Sequence, residues 1–137
     1  MTRNYILDDT VVIEEKRKKL EDFAKKWNIK YIILFGSRIR GKDTPLSDWD
    51  IAVRFGRRIS GREYIYIIGE LVEALDTDKV DLVVLDLDVP VELAYDILWN
   101  GEPIIVLDKN ILIEDRLKVF RDLNDLKIKQ KTVGIEM

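Results

Sequence analysis

The stretch LFGSRIRGKDTPLSDWDIAV, residues 34–53, places a Gly-Ser pair, three basic side chains and two aspartates one residue apart within twenty positions. It joins two strand-like runs. KYIILF, residues 30–35, is a short apolar segment ended by Gly36, the pattern of a buried strand, and DWDIAVRF, residues 48–55, is a second. Between them, residues 37–40 read as one helical turn and GKDTPLS as a loop punctuated by Gly41 and Pro45. Side chains two apart on a strand point to the same face, so Asp48 and Asp50 stand side by side while Trp49 and Ile51 face the other way. Two carboxylates that close resist joint ionisation unless a cation lies beside them, and a divalent ion both relieves them and is held by them. Spacing alone leaves a second reading open, that of solvated charges at a strand start.

Working outward, residues 11–27 read as an amphipathic helix with Thr10 as N-cap and Glu14 and Glu15 near its first turns. After the second strand comes a loop, GRRISG, then a helix over 62–75 with Gly69 as a weak point. KVDLVVL, residues 79–85, reads as a third, buried strand, and residues 90–99 as a helix opening near Pro90 and stopped by Asn100-Gly101. PIIVL, 103–107, is a fourth strand, and a last helix runs from 110 to about 127. The remaining tail is disordered or docks on a partner; helix and tail together are the expected docking surface. Strands and helices alternate, so the expected class is α/β or α+β, one sheet with helices packed on it. The 137 residues suit a single domain with an ordinary core.

Composition narrows the chemistry. There is no cysteine and no histidine, which excludes disulfides, thiol catalysis and the commonest general base and transition-metal ligand. What remains are carboxylates, hydroxyls, Lys, Arg and hard, oxygen-bound metals, so magnesium fits and zinc does not. No apolar run approaches the roughly 20 residues of a membrane span, and the first residues lack the apolar core of a signal peptide, so a cytoplasmic location is expected. The net charge of -3 argues against direct nucleic-acid binding. Yet from Gly36 to Arg62 seven basic residues face three acidic ones, a local +4 in a chain whose remainder carries -7. A cationic patch around aspartates suits a compact anionic ligand.

Asp81 is a third candidate carboxylate. An aspartate between apolar neighbours in a buried strand is costly unless paired or metal-bound. If the third strand lies beside the second, Asp81 converges on Asp48 and Asp50, and three carboxylates on adjacent strands suit a two-magnesium phosphoryl or nucleotidyl transfer site. Asp76, Asp78, Asp86 and Asp88 read as turn and cap residues, with Asp86 ranked behind Asp81 as the third ligand. Gly36 lets backbone approach a ligand closely, and Ser37 offers a hydroxyl and an N–H at a helix start, a natural phosphate site. Arg38, directly after Ser37, is the arginine best placed to meet phosphate, with Arg40 beside it. Arg54 faces either way, while Arg57 or Arg58 reads as merely solvated. Trp49 and Trp99 read as core, Tyr64 and Tyr66 as helix packing residues.

Gly36-Ser37, ten intervening residues, Asp48-x-Asp50 and then an apolar-flanked Asp81 together resemble the polymerase-β-like nucleotidyltransferase superfamily. Within it, LFGSRIRG…SDWDIAV, VDLVVLD and PVELAYDILWNGEPIIVLD look like the minimal nucleotidyltransferase (MNT) family, over about residues 11–108. The resemblance implies a mixed sheet flanked by helices and transfer of AMP from ATP with release of pyrophosphate. It implies that Gly36 and Ser37 hold the triphosphate, that Asp48 and Asp50 ligate magnesium, and that Asp81 completes the metal site and helps deprotonate the acceptor. It also implies a HEPN-domain toxin as partner, a tyrosine of that toxin as acceptor and an antitoxin role. A homo- or hetero-oligomer is compatible with the sequence, which does not fix the oligomeric state. The alternative is an antitoxin that neutralises its partner by contact and only binds nucleotide. Trp49 departs from the aliphatic residue usual between the two aspartates.

Overall fold

The computed structural model describes the backbone of residues 3–36 and 48–136, and side chains over 14–36 and 48–131. Ser37, Arg38 and Arg40, with the expected turn at 37–40 and the loop after it, lie outside the described residues. The chain order is α1 (Arg3–Lys26), β1 (Tyr31–Phe35), β2 (Trp49–Arg54), α2 (Gly61–Leu75), β3 (Val80–Val84), α3 (Val91–Tyr95) continuing as a π-helical turn (Asp96–Asn100), β4 (Glu102–Val106) and α4 (Lys109–Glu136).

Two helices exceed the expectation. α1 begins at Arg3, so Thr10 lies inside it and is not its N-cap. No Pro or Gly interrupts residues 3–10, and a mid-helix threonine costs only a few tenths of a kcal/mol. α4 runs to Glu136, so the expected tail continues the helix. α2 has the local signals in full. Ser60 is its N-cap in a capping box with Glu63, and Asp76 closes it in the left-handed conformation at φ 55°. That places Asp76 in the cap role expected of it. Gly69 is exposed and does not break the helix.

The four strands form one mixed sheet in the order β3-β2-β1-β4. β1 is antiparallel to both β2 and β4, whereas β2 and β3 run parallel through the α2 crossover. This is the mixed sheet flanked by helices that the sequence led us to expect. Alternation along each strand divides the core into two. Ile32, Leu34, Trp49, Ile51 and Val53 pack beneath α1 and α2 with Leu20, Phe23, Ile67 and Leu71. Tyr31, Ile33, Phe35 and Ala52 pack on the other face with Ile97, Leu98, Leu112 and Val119. Trp49 is buried in the first layer, so the core accommodates its bulk. Ties between elements include Trp27 Nε1 to Glu70 at 3.2 Å and Arg17 to the Ile104 carbonyl at 3.1 Å.

Three expectations need correction. β3 is an edge strand and only partly buried, so Asp81 is exposed, because the sheet ends there. Trp99 is not core: the π turn carries it outward, where it remains half-exposed. Tyr66 is exposed on α2, directly before the buried Ile67 but off the buried stripe, while Tyr64 packs on the core edge. No helix among the described residues is long and apolar enough to cross a membrane.

Candidate functional site

The carboxylates meet because of strand register. β2 and β3 align Asp50 with Asp81 as cross-strand partners, and Asp48 lies two residues before Asp50 on the same face. On its other side Asp50 is paired with Phe35, the last residue of β1, which brings the chain to Gly36. Gly36 has φ +81°, a conformation glycine adopts freely. A Cβ there would stand 2.8 Å from the Asp50 Cγ and overlap its Oδ2. The glycine is therefore demanded twice, by its own backbone and by the carboxylate lying over it.

Burial comes first, then the charges of Asp81 and Asp48, in pushing the Asp50 carboxyl above its ordinary pKa. All three aspartates thus share one electrostatic neighbourhood, and a cation there would relieve the repulsion. Their oxygens are the hard donors magnesium prefers. As the side chains stand, no group of three or more acidic residues among the described ones is drawn tightly enough to hold an ion. Asp48 and Asp81 are exposed, so their rotamers are free to turn toward Asp50.

A second charged cluster lies at the opposite end of β2, around Arg54, Asp86 and Asp115. Arg54, four residues beyond Asp50 on β2, donates from Nε to Asp115 of α4 at 2.9 Å and from Nη1 to Asp86. Asp86 also accepts from the Phe55 and Gly56 N–H groups, both at 2.7 Å, which commits it to holding the β2–α2 loop. It is thereby removed from the Asp50 neighbourhood. Asp115 further accepts from the Tyr31 hydroxyl at 2.7 Å, and burial first, then Asp115, pushes that phenol far above its usual range. Arg57 is paired with Glu63 at 2.8 Å and is not merely solvated, whereas Arg58 is exposed. A cavity of about 620 Å³ opens beside these groups, lined by Arg54, Arg57, Arg58, Tyr64 and Asp86. Asp48, Asp50 and Asp81 are not in its lining, and two of its three arginines are already neutralised, which leaves little net charge for an anion.

Sequence reasoning missed Asp115 and Tyr31. A signal existed, since Asp115 sits between Leu112 and Val119 at helical spacing, a carboxylate in an otherwise sheet-facing stripe.

Residues 18–110 match the family described as polymerase beta, nucleotidyltransferase. No curated protein matches the chain. Among solved structures, a chain of a toxin-antitoxin with AMP-PNP superposes with a TM-score of 0.71 at 21% identity, over 87% of this chain and 95% of that one. A chain from tri-AMPylated Shewanella oneidensis HEPN toxin in complex with MNT antitoxin gives 0.65 at 21% identity, over 93% and 96%. One from the toxin-antitoxin MntA-HepT gives 0.65 at 22%, over 93% and 97%. At such identities the likeness to these structures is one of fold.

Proposed function

The chain belongs to the polymerase beta nucleotidyltransferase family, and we propose that it moves AMP from ATP to a tyrosine hydroxyl of a HEPN-type toxin, with magnesium, as that toxin's antitoxin. The observation that carries this reading is the alignment of Asp50 with Asp81 across β2 and β3, with Asp48 on the same face and Gly36 beneath the Asp50 carboxylate. Solved structures of the same fold support the partner and the nucleotide, since their complexes contain an ATP analogue in one case and an AMPylated HEPN toxin in another.

Asp48, Asp50 and Asp81 would hold the magnesium, which when bound supplies positive charge at the α-phosphate and at the departing pyrophosphate. The chain's own residues then position the reactants. Gly36 admits the triphosphate close to backbone, Ser37 holds it by hydroxyl and N–H, and Arg38 neutralises part of its charge. The acceptor oxygen attacks the α-phosphorus, the bond to the bridging oxygen of the β-phosphate breaks, and Asp81 takes the hydroxyl proton. With no histidine in the chain to activate it, Ser37 acts as a positioning residue here. The reaction has a cytoplasmic setting, where ATP is available.

The test is transfer of label from ATP carrying radioactive phosphorus at the α or at the γ position to a co-purified HEPN protein. Labelling from α-labelled ATP alone, with magnesium and lost in Asp50→Asn, is the expected result. A wild-type complex that forms tightly, binds ATP and never labels its partner would replace this reading with that of an antitoxin acting by contact.

A further inference from the structure

α4 has two unlike sides. Leu112, Asp115 and Val119 turn to the sheet. On the outer side Ile113, Leu117 and Phe120 are 44%, 52% and 46% exposed. Trp99, 43% exposed, widens this patch. Its ring stacks on Tyr95 at 6.0 Å and meets Phe120 at 6.1 Å, and the Arg116 guanidinium lies 6.0 Å above it. Single exposed apolar residues are ordinary, but a contiguous patch rich in Trp, Tyr and Arg is the composition of an interface centre.

The spacing says what kind of element fits. Ile113, Leu117, Phe120 and Asn124 follow at steps of four, three and four, the repeat of a seam between two packed helices. Charge says which helix. Glu114 and Arg121 lie seven residues apart, two helical turns, on one flank of that seam. Among the described residues neither has an ion-pair partner within the chain. A two-fold axis crossing α4 near Leu117 sets Glu114 of one copy against Arg121 of another, and by symmetry the reverse, so one surface supplies both halves of both pairs.

We propose that the occupant of this surface is a second copy of the same chain, its α4 packed antiparallel on the first, with Leu117 at the axis and the Trp99–Phe120 aromatics at either end. The seam lies on the outer side of α4, on the helix layer over the sheet rather than on the strand ends that carry Asp48, Asp50 and Asp81. Dimerisation and nucleotide transfer are thus separable properties.

The purified chain without any partner, followed by sedimentation equilibrium, tests this. A dimer is expected for wild type, and for Leu117→Glu, whose side chain is 52% exposed in the single chain, a folded monomer with cooperative thermal unfolding whose midpoint no longer depends on protein concentration. Glu114→Arg and Arg121→Glu are each expected to weaken dimerisation roughly tenfold, because each creates two like-charge contacts. Combined in one chain they restore it to within about threefold, an outcome no purely apolar patch produces. A wild-type chain that stays monomeric to about 100 μM, weaker than any working dimer, overturns the proposal. So does a dimer indifferent to Leu117→Glu, or a double reversal that fails to restore association.

Discussion

Alanine at position 36 tests whether the Asp50 carboxylate lies where the strand register puts it. Gly36→Ala has two separate costs. The positive φ of +81° penalises any Cβ by about 1–2 kcal/mol whatever surrounds it. The added methyl also stands 2.8 Å from the Asp50 Cγ and overlaps Oδ2, an overpacking of about 1–3 kcal/mol if the side chain is to remain in place. The total is about 2–5 kcal/mol. Only the second cost depends on Asp50. In an Asp50→Ala background the carboxylate is gone, and the nearest remaining contact is the residue-50 Cβ at 3.1 Å, a tight but small obstacle. Gly36→Ala should therefore cost about 1–2 kcal/mol there, a coupling of about 1–3 kcal/mol between the sites. Urea unfolding of the four proteins of the cycle measures it. Additivity within about 0.5 kcal/mol, the usual margin for independent sites, would mean that the carboxylate does not lie over the glycine and that the geometry of the site has been misread.

Further expectations concern charge. Asp50 has its folded-state pKa raised, so its ionisation opposes folding: its contribution is most favourable below the ordinary carboxylate pKa and is lost as pH rises through the raised value. Asp50→Asn should accordingly be more stable than wild type at neutral pH without metal, with the gain shrinking as pH falls through the same window in chemical denaturation. A wild type more stable than Asp50→Asn at pH 7 would contradict this. Asp115→Ala leaves the buried Tyr31 hydroxyl without its acceptor and Arg54 with Asp86 alone, and should cost about 2–3 kcal/mol. Asp115→Asn, which keeps an acceptor oxygen, should cost clearly less in the same urea titration, and equal losses would remove the Tyr31 hydrogen bond from the account.

Much of the fold was legible because it rests on short-range patterns. Strand period put Asp48 and Asp50 on one face, and short apolar runs marked all four strands, the first two ended by Gly36 and Gly56. The α2 cap was not read in advance, although Ser60 and Glu63 have the spacing of a capping box. The misreadings share a cause. Thr10 is a good N-cap residue in isolation, yet helix continuation needs only the absence of a breaker upstream. Trp99 falls at a core-like position of an α-helix, but one wider turn rotates it outward. Arg54 on its strand has no periodicity that tells which acids it will find, because Asp86 and Asp115 are 32 and 61 residues away.

By itself, the sequence determined the chemistry on offer: no thiol, no imidazole, and carboxylates at a period of two beside a Gly-Ser corner. Those are properties of residue types and of neighbours along one strand, and local sterics enforce them in any fold. Only the tertiary structure decided which carboxylates meet. Asp81 stands 31 residues beyond Asp50, and it is the parallel pairing of β2 with β3, imposed by burying α2 against one face of the sheet, that sets the two in register. The same packing drew Asp86 to the far end of the strands, where Arg54 and two backbone N–H groups hold it. Hydrophobic burial is non-directional and acts on the whole chain at once, so the choice between Asp81 and Asp86 belongs to the assembled sheet and to no single segment of it.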